Sequence, residues 1–256
     1  MTDTPAKGRI VWHDLMTPDV QSAVSFYTEA VGWGTEPFEI GSGPPYTMWT
    51  AEGTPLGGVM GMPPAIADMP PHWLAYVSVP NVDETAQQAV ALGGSIRKEP
   101  TDIPDVGPFA VIADPQGATI SIYTPKQSDA AADVPPRLGE FSWHELNTTD
   151  VGAALDFYSK LFGWTAGPAH DMGPMGIYQI FERNGVQLGG MFTAPPADKI
   201  PPNWLAYVRV DSADRAAERV TKAGGKVVNG PMDVPGGSRI AQCMDPQGGM
   251  FAVHSM

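Results

Sequence analysis

Two matching neighbour pairs offer the most obvious chemistry in the chain: His13-Asp14 and His144-Glu145, each preceded by a tryptophan, Trp12 and Trp143. Imidazole binds transition metals and carries protons near neutral pH. A carboxylate sunk among aromatic rings has its pKa raised by desolvation and can act as a general base for enolisation or dehydration. Successive side chains of a strand point to opposite faces, so Trp12 shares a face with Asp14, and Trp143 with Glu145. With the tryptophans facing a ligand, Asp14 and Glu145 are the candidate general bases. The competing reading ties each to a backbone amide or to a cation such as Arg209. His13 and His144 then point toward a helix layer or a domain contact, as hydrogen-bonded structural groups. A one-residue bulge would exchange the two faces. In that alternative His13 with His72, and His144 with His254, approach a metal, although a Zn or Fe site usually takes three protein ligands.

These pairs belong to a long internal repeat. Trp12-His13 recurs 131 positions later, as do Phe26-Tyr27, Gly32-Trp33, Trp73-Leu74-Ala75-Tyr76-Val77, Gly93-Gly94 and Asp114-Pro115-Gln116-Gly117. A period of this length is a duplicated domain rather than a solenoid unit. Within each copy the pattern of strand, capped amphipathic helix and three short strands occurs twice. The first helix follows Asp19 and the second follows Asp83; in the second copy they follow Asp150 and Asp211 or Asp214. The expected division is a domain over 8–125 (modules 8–65 and 72–125), a polar, proline-bearing linker over 126–138, and a domain over 139–256 (modules 139–196 and 203–256).

The 256 residues include 15 Lys and Arg against 28 Asp and Glu, a formal charge of −13, which opposes nucleic acid and anionic membranes as partners. The single Cys243 excludes an internal disulfide framework and reads as a buried small residue. The segment Met1 to Gly8 lacks a secretion pattern and no apolar run reaches membrane-spanning length, so the expected location is the cytoplasm.

The order βαβββ taken twice, with Asp19 and Phe26-Tyr27 on the first helix, Gly32 after it, Gly93-Gly94 closing the second and Asp114-Pro115-Gln116-Gly117 near the end, resembles the glyoxalase, bleomycin-resistance and extradiol-dioxygenase superfamily, also called vicinal oxygen chelate. The branch it looks most like carries two such domains in one chain and includes proteins labelled glyoxalase-like or hydroxylase. The resemblance implies an α+β fold of two tandem domains, each of two βαβββ modules forming an incomplete barrel of about eight strands. It implies a cup that holds a small ligand, usually over a divalent metal. It also implies metal ligands on the opening and closing strands of each module. Those places fall here on Trp12 and Trp143, on Leu74 or Trp73 and Leu205 or Trp204, on Gly57-Gly58 and Gly189-Gly190, and on Ser121 and Ala252. None is a usual ligand.

The expected ligand-binding residues are therefore Trp12, Met48, Tyr76, Phe109, Ser121, Trp143, Tyr178, Tyr207 and Ala252, with Trp49 a further aromatic on a strand. Trp33 and Trp164 read as core. Gly41 to Pro45 and Gly173 to Gly176 read either as loops that close over a cup or as ordinary connections. Two functions follow. One is a protein that binds a small hydrophobic or aromatic molecule without the usual metal, as a monomer or homodimer. The other is a glyoxalase-like lyase or dioxygenase, using Zn, Ni, Mn or Fe through His144, Glu145 and His254, or a carboxylate base alone.

Overall fold

Asp19 starts the first helix because its carboxylate accepts the backbone N–H of Ser22 at 3.0 Å, satisfying a donor that the helix itself leaves unpaired. Asp150 does the same for Ala153 at 2.9 Å. The second helix of each copy begins differently from the expectation. Asn81 and Ser212 are the caps, accepting from Glu84 and Arg215, while Asp83 and Asp214 are each the second residue of their helix. There their charge suits the positive end of the helix dipole.

The computed structural model describes residues 7–39, 46–126, 134–193 and 200–256. Gly41 to Pro45, linker positions 127–133 and the first six residues lie outside the described residues. In chain order the first copy contains β1 (Ile10–Thr17), α1 (Val20–Val31), β2 (Gly34–Phe38), β3 (Tyr46–Ala51), β4 (Thr54–Gly61), β5 (His72–Ser78), α2 (Val82–Ala91), β6 (Ser95–Ile103), β7 (Gly107–Ala113) and β8 (Thr119–Tyr123). The second contains β9 (Phe141–Asn147), α3 (Val151–Phe162), β10 (Thr165–Asp171), β11 (Ile177–Arg183), β12 (Val186–Phe192), β13 (Asn203–Arg209), α4 (Ala213–Lys222), β14 (Lys226–Asp233), β15 (Arg239–Met244) and β16 (Met250–Ser255). Gly173–Met175 forms a single 3-10 turn.

The strand orders are β2-β3-β4-β1-β5-β8-β7-β6 and β10-β11-β12-β9-β13-β16-β15-β14. Each copy thus forms an open eight-stranded sheet rather than a closed barrel. In every module the opening strand pairs in parallel with the closing strand, and the other pairings within the module are antiparallel. The parallel pairing needs a crossover, which the helix supplies.

Contacts divide the chain into two compact units, and each unit draws on both copies. One comprises Met1–Val11, Ala75–Val134 and His144–Trp204; the other comprises Trp12–Leu74, Pro135–Trp143 and Leu205–Met256. The core of the first gathers Val77, Ile112 and Ile120 with Phe157, Tyr158 and Trp164. The core of the second gathers Leu15, Tyr27, Trp33 and Trp49 with Val208 and Phe251. Each fully buried aromatic of these clusters contributes roughly 1.5–3 kcal/mol by leaving water.

A polar relay runs through each core. In the first unit Trp204 Nε1 donates to Tyr158 Oη at 3.2 Å, and Tyr158 donates to Asp114 Oδ2 at 3.0 Å. Asp114 Oδ1 then accepts the backbone N–H groups of Gln116, Gly117 and Ala118 at 3.0, 2.7 and 2.9 Å. In the second unit Trp73 Nε1 donates to Tyr27 Oη at 3.0 Å and Tyr27 to Asp245 Oδ2 at 3.1 Å. Asp245 Oδ1 accepts from Gln247 and Gly249 at 2.8 and 2.9 Å. The turn aspartate of one copy therefore answers the helix tyrosine of the other. Trp73 and Trp204 are spent on this relay, which settles the register left open in the sequence: Leu74 and Leu205, not the tryptophans, share a face with Tyr76 and Tyr207.

Tyr158→Phe removes one donor and one acceptor from a fully buried site, so it should destabilise by about 2 kcal/mol, and Asp114→Ala by more. Urea unfolding followed by circular dichroism checks both; a Tyr158→Phe midpoint equal to the parent's would refute the relay's structural weight.

Candidate functional site

On β1 the side chains of Leu15 and Asp14 part company. Leu15 enters the helix-side core, whereas Asp14, with Trp12 and Met16, lies on the helix-free face. Gly58 of β4 is the register partner of Asp14 and also of Met48 on β3, so glycine sits between them. Two positions before Met48, Tyr46 extends over this glycine. A Cβ on Gly58 would overlap the Tyr46 hydroxyl and ring, so any side chain here would evict the phenol. Tyr46 Oη donates to Asp14 Oδ1 at 2.6 Å. Trp12 Nε1 lies 3.0 Å from the same carboxylate oxygen and 2.8 Å from Tyr46 Oη, donating to both. Burial and the Asp14 charge push the Tyr46 hydroxyl far above its ordinary pKa, so it stays a donor at any physiological pH.

The second copy repeats the arrangement within the other unit. Gly190 of β12 is the register partner of Glu145 on β9. Tyr178 on β11 covers it, its ring occupying the space that a Gly190 side chain would need, and Tyr178 Oη donates to Glu145 Oε2 at 3.0 Å. Asp14 and Glu145 are 4% and 9% exposed, burial that an ionisable group tolerates only with such partners.

Tyr46 was missed in the sequence because the 131-residue offset sets it against Ile177. The segment between the first helix and the glycine pair is one residue longer in the second copy, as Gly57-Gly58 and Gly189-Gly190 already show. Aligning on those glycines brings Tyr46 onto Tyr178.

The histidines take other roles. His13 stacks on the Phe141 ring with centroids 3.7 Å apart, on the same side of its strand as the core residue Leu15. His144 donates Nδ1–H to the Leu188 carbonyl at 3.2 Å, and burial drives its pKa down to about 4. His254 engages both ring nitrogens, Nδ1 with Ser142 Oγ at 3.0 Å and Nε2 with Ser238 Oγ at 2.9 Å. Its pKa is lowered by burial and by the Arg209 guanidinium. His72, the first residue of β5, donates Nδ1–H to the Pro70 carbonyl two residues before it at 2.9 Å. Among the described residues no three His, Cys, Asp or Glu side chains gather closely enough to hold a metal ion.

The donor set therefore does not fit a divalent metal at the places the fold would provide. Those places hold Trp12, Trp143, Ser121, Ala252 and glycines roofed by tyrosine.

The remaining expected residues form two further groups on helix-free faces. In the first copy Tyr76 and Phe109 pack with ring centroids 6.0 Å apart, and Ser121, the register partner of Tyr76, donates to the Ala110 carbonyl at 3.0 Å. In the second copy Trp143 packs against Leu205, Tyr207 and Ala252, and Gln242 Nε2 donates to Tyr207 Oη at 3.1 Å. Trp49 does not belong to either. It is fully buried in the helix-side core, because Tyr46 and Met48 take the other face and alternation sends Trp49 inward. Trp33 and Trp164 are likewise core, their indole N–H groups donating to the carbonyls of Gly139 and Gly8, both at 2.7 Å.

His144 gives the fold an acid sensitivity. Its folded pKa, about 4, lies below the unfolded value, so the unfolded state binds the proton first as pH falls. Stability is full above about pH 6.5 and is lost progressively toward pH 4, by roughly 3 kcal/mol at most from this group. His144→Asn keeps a donor for Leu188 and should flatten that dependence by one proton in urea titrations run at several pH values. An unchanged slope would refute the assignment.

Comparison with known proteins places this geometry in context. The family model described as Glyoxalase/Bleomycin resistance protein/Dioxygenase superfamily matches residues 9–122 and again 140–253. CFP32 of Mycobacterium tuberculosis (strain CDC 1551 / Oshkosh), named as a candidate glyoxylase, is 34% identical over 244 residues, 94% of this chain and 92% of its own length. The anthracycline biosynthesis protein DauV of Streptomyces sp. (strain C5) is 30% identical over 262 residues, 97% of this chain and 93% of its own. Among solved structures, the Mn(II)-bound glyoxalase from Novosphingobium aromaticivorans shares the fold with a TM-score of 0.65 at 15% identity, covering 98% of this chain and 82% of that one.

Proposed function

The chain belongs to the glyoxalase/bleomycin resistance protein/dioxygenase superfamily, and on that premise we propose that it binds a small hydrophobic or aromatic molecule against the helix-free faces of its sheets, without the family's divalent metal. One observation carries this reading. In both copies the glycine at the closing-strand place lies beneath a tyrosine that donates to a buried carboxylate. The phenol takes the space of a ligating side chain, and its proton takes a carboxylate lone pair. What is left is an aromatic surface with a fixed anion at its base, the composition of a small-molecule site in which a few polar groups set orientation.

Asp14 and Glu145 favour a second reading. A buried carboxylate paired with a phenol can take a proton from a bound ligand while the phenol supplies a hydrogen bond to the charge that develops. Under this reading the protein is an enzyme and Asp14 and Glu145 are its general bases. A glyoxalase-like lyase or dioxygenase working through a metal on His144, Glu145 and His254 is the version that the side-chain geometry supports least.

No helix among the described residues is long and apolar enough to cross a membrane. The proposal has the protein acting in the cytoplasm as a monomer or homodimer, with a small molecule as its partner and neither nucleic acid nor membrane. Light scattering checks the assembly, and a tight tetramer would count against it.

Metal content separates the readings. Protein purified without chelator should hold well under one equivalent of Zn, Ni, Mn or Fe, and added metal should leave its Tm unchanged. A stoichiometric metal lost in both His144→Ala and Glu145→Gln would overturn the metal-free proposal. Gly58→Ala should evict Tyr46 and weaken the binding of planar aromatic probes about tenfold, a loss of roughly 1.4 kcal/mol, as read by tryptophan fluorescence.

A further inference from the structure

We propose that the first copy receives the anionic end of an aromatic molecule at Lys98, and that the second copy lacks this preference. The inference rests on the ligand-binding reading above and adds the charge and the place.

Lys98 lies on β6 between two register irregularities, with Val111 of β7 as its partner across the strands. Bulges of this kind re-aim a side chain. Here the ammonium sits over the Phe109 ring, 5.4 Å from its centroid, and Phe109 packs in turn on Tyr76. On β7 and β8 the neighbours Ala110, Ile112, Ile120 and Ile122 face the helix-side core, so Phe109 lies on the opposite, helix-free face. Among the described residues Lys98 has no carboxylate partner, whereas the nearby Lys126 pairs with Asp102 at 3.3 Å. In a chain of charge −13, a lysine held on an aromatic ring rather than on one of the abundant carboxylates is a cation kept available. All of these groups lie within one compact unit.

The same positions of the second copy lack this arrangement. Asn229 stands for Lys98, Ile240 for Phe109 and Gln242 for Val111. Asn229 Nδ2 donates to Gln242 Oε1 at 3.3 Å, and Gln242 donates to Tyr207. Where the first copy has a cation on an aromatic ring, the second has a neutral amide chain that bonds the tyrosine hydroxyl. The fold does not require either version, since the backbone pairing is the same in both copies. A carboxylate or sulfonate on a planar ring would meet the exposed Lys98 while its ring packs at the edge of the half-buried Phe109. The long-range charge of the chain matters little at this distance, because salt screens it beyond about 8 Å.

The test uses the full chain with 2-naphthoate and its neutral isostere 2-naphthamide, in tryptophan fluorescence or calorimetric titrations. Lys98→Met keeps an apolar side chain over Phe109 and removes the charge. The parent should bind naphthoate more tightly than the amide. Lys98→Met should weaken naphthoate about tenfold, leave the amide within about twofold, and abolish the salt dependence of naphthoate binding. Lys98→Gln, as a second neutral variant, should do the same, and urea midpoints confirm that both fold. If the parent binds both probes and neither variant changes their ratio, the role of Lys98 is overturned while aromatic binding stands. If neither probe binds any of the proteins, the ligand-binding reading fails and this inference with it.

Discussion

The structure depends on a buried hydrogen-bond relay from tryptophan to tyrosine to aspartate, made once in each compact unit. Its aspartate comes from the last turn of one repeat, and its tyrosine comes from the first helix of the other. Such a carboxylate is costly to bury alone, and here backbone N–H groups of its own turn and a phenol share the charge. The two ends of each relay come from different repeats, and each core likewise mixes residues of both. Each compact unit is accordingly assembled from pieces of both copies.

That core arrangement occupies the helix side of each sheet. Helices and their aromatic partners consume one face, including Trp33, Trp49, Trp73 and Trp164, which a count of aromatics alone would offer to a ligand. The helix-free faces keep Trp12, Tyr46 and Met48 in one copy and Tyr178 in the other, organised around Asp14 and Glu145. Glycine makes this possible. Gly58 and Gly190 have no side chain, so a tyrosine can cross the strand and reach a carboxylate on its far side. In both copies a phenol–carboxylate pair spans that glycine.

Much of this was legible in the residues. Strand alternation alone put Asp14 with Trp12 and sent His13 to the other side, because the side-chain period of a strand is two. The four βαβββ modules followed from caps, periodicity and the repeat. Other features were not legible for definite reasons. Tyr46 hid behind a one-residue insertion that broke the repeat offset. Trp49 has the composition of a ligand wall, and only its neighbours Tyr46 and Met48, by taking the other face, decide that it is core. Asn81 and Ser212 displaced the expected aspartates as caps, since several acceptors compete within two residues and geometry chooses among them.

What the sequence by itself determined was local and periodic: the elements, their order, the repetition, and which neighbours on a strand share a face. These depend on interactions between residues a few positions apart, so spacing records them. The tertiary structure alone decided the partners. That Asp114 answers Tyr158 across the repeat boundary, that Tyr178 reaches Glu145 over Gly190, and that Lys98 rests on Phe109 while its counterpart Asn229 bonds an amide, are long-range pairings. Their energies come from burial and geometry that no spacing in the chain encodes.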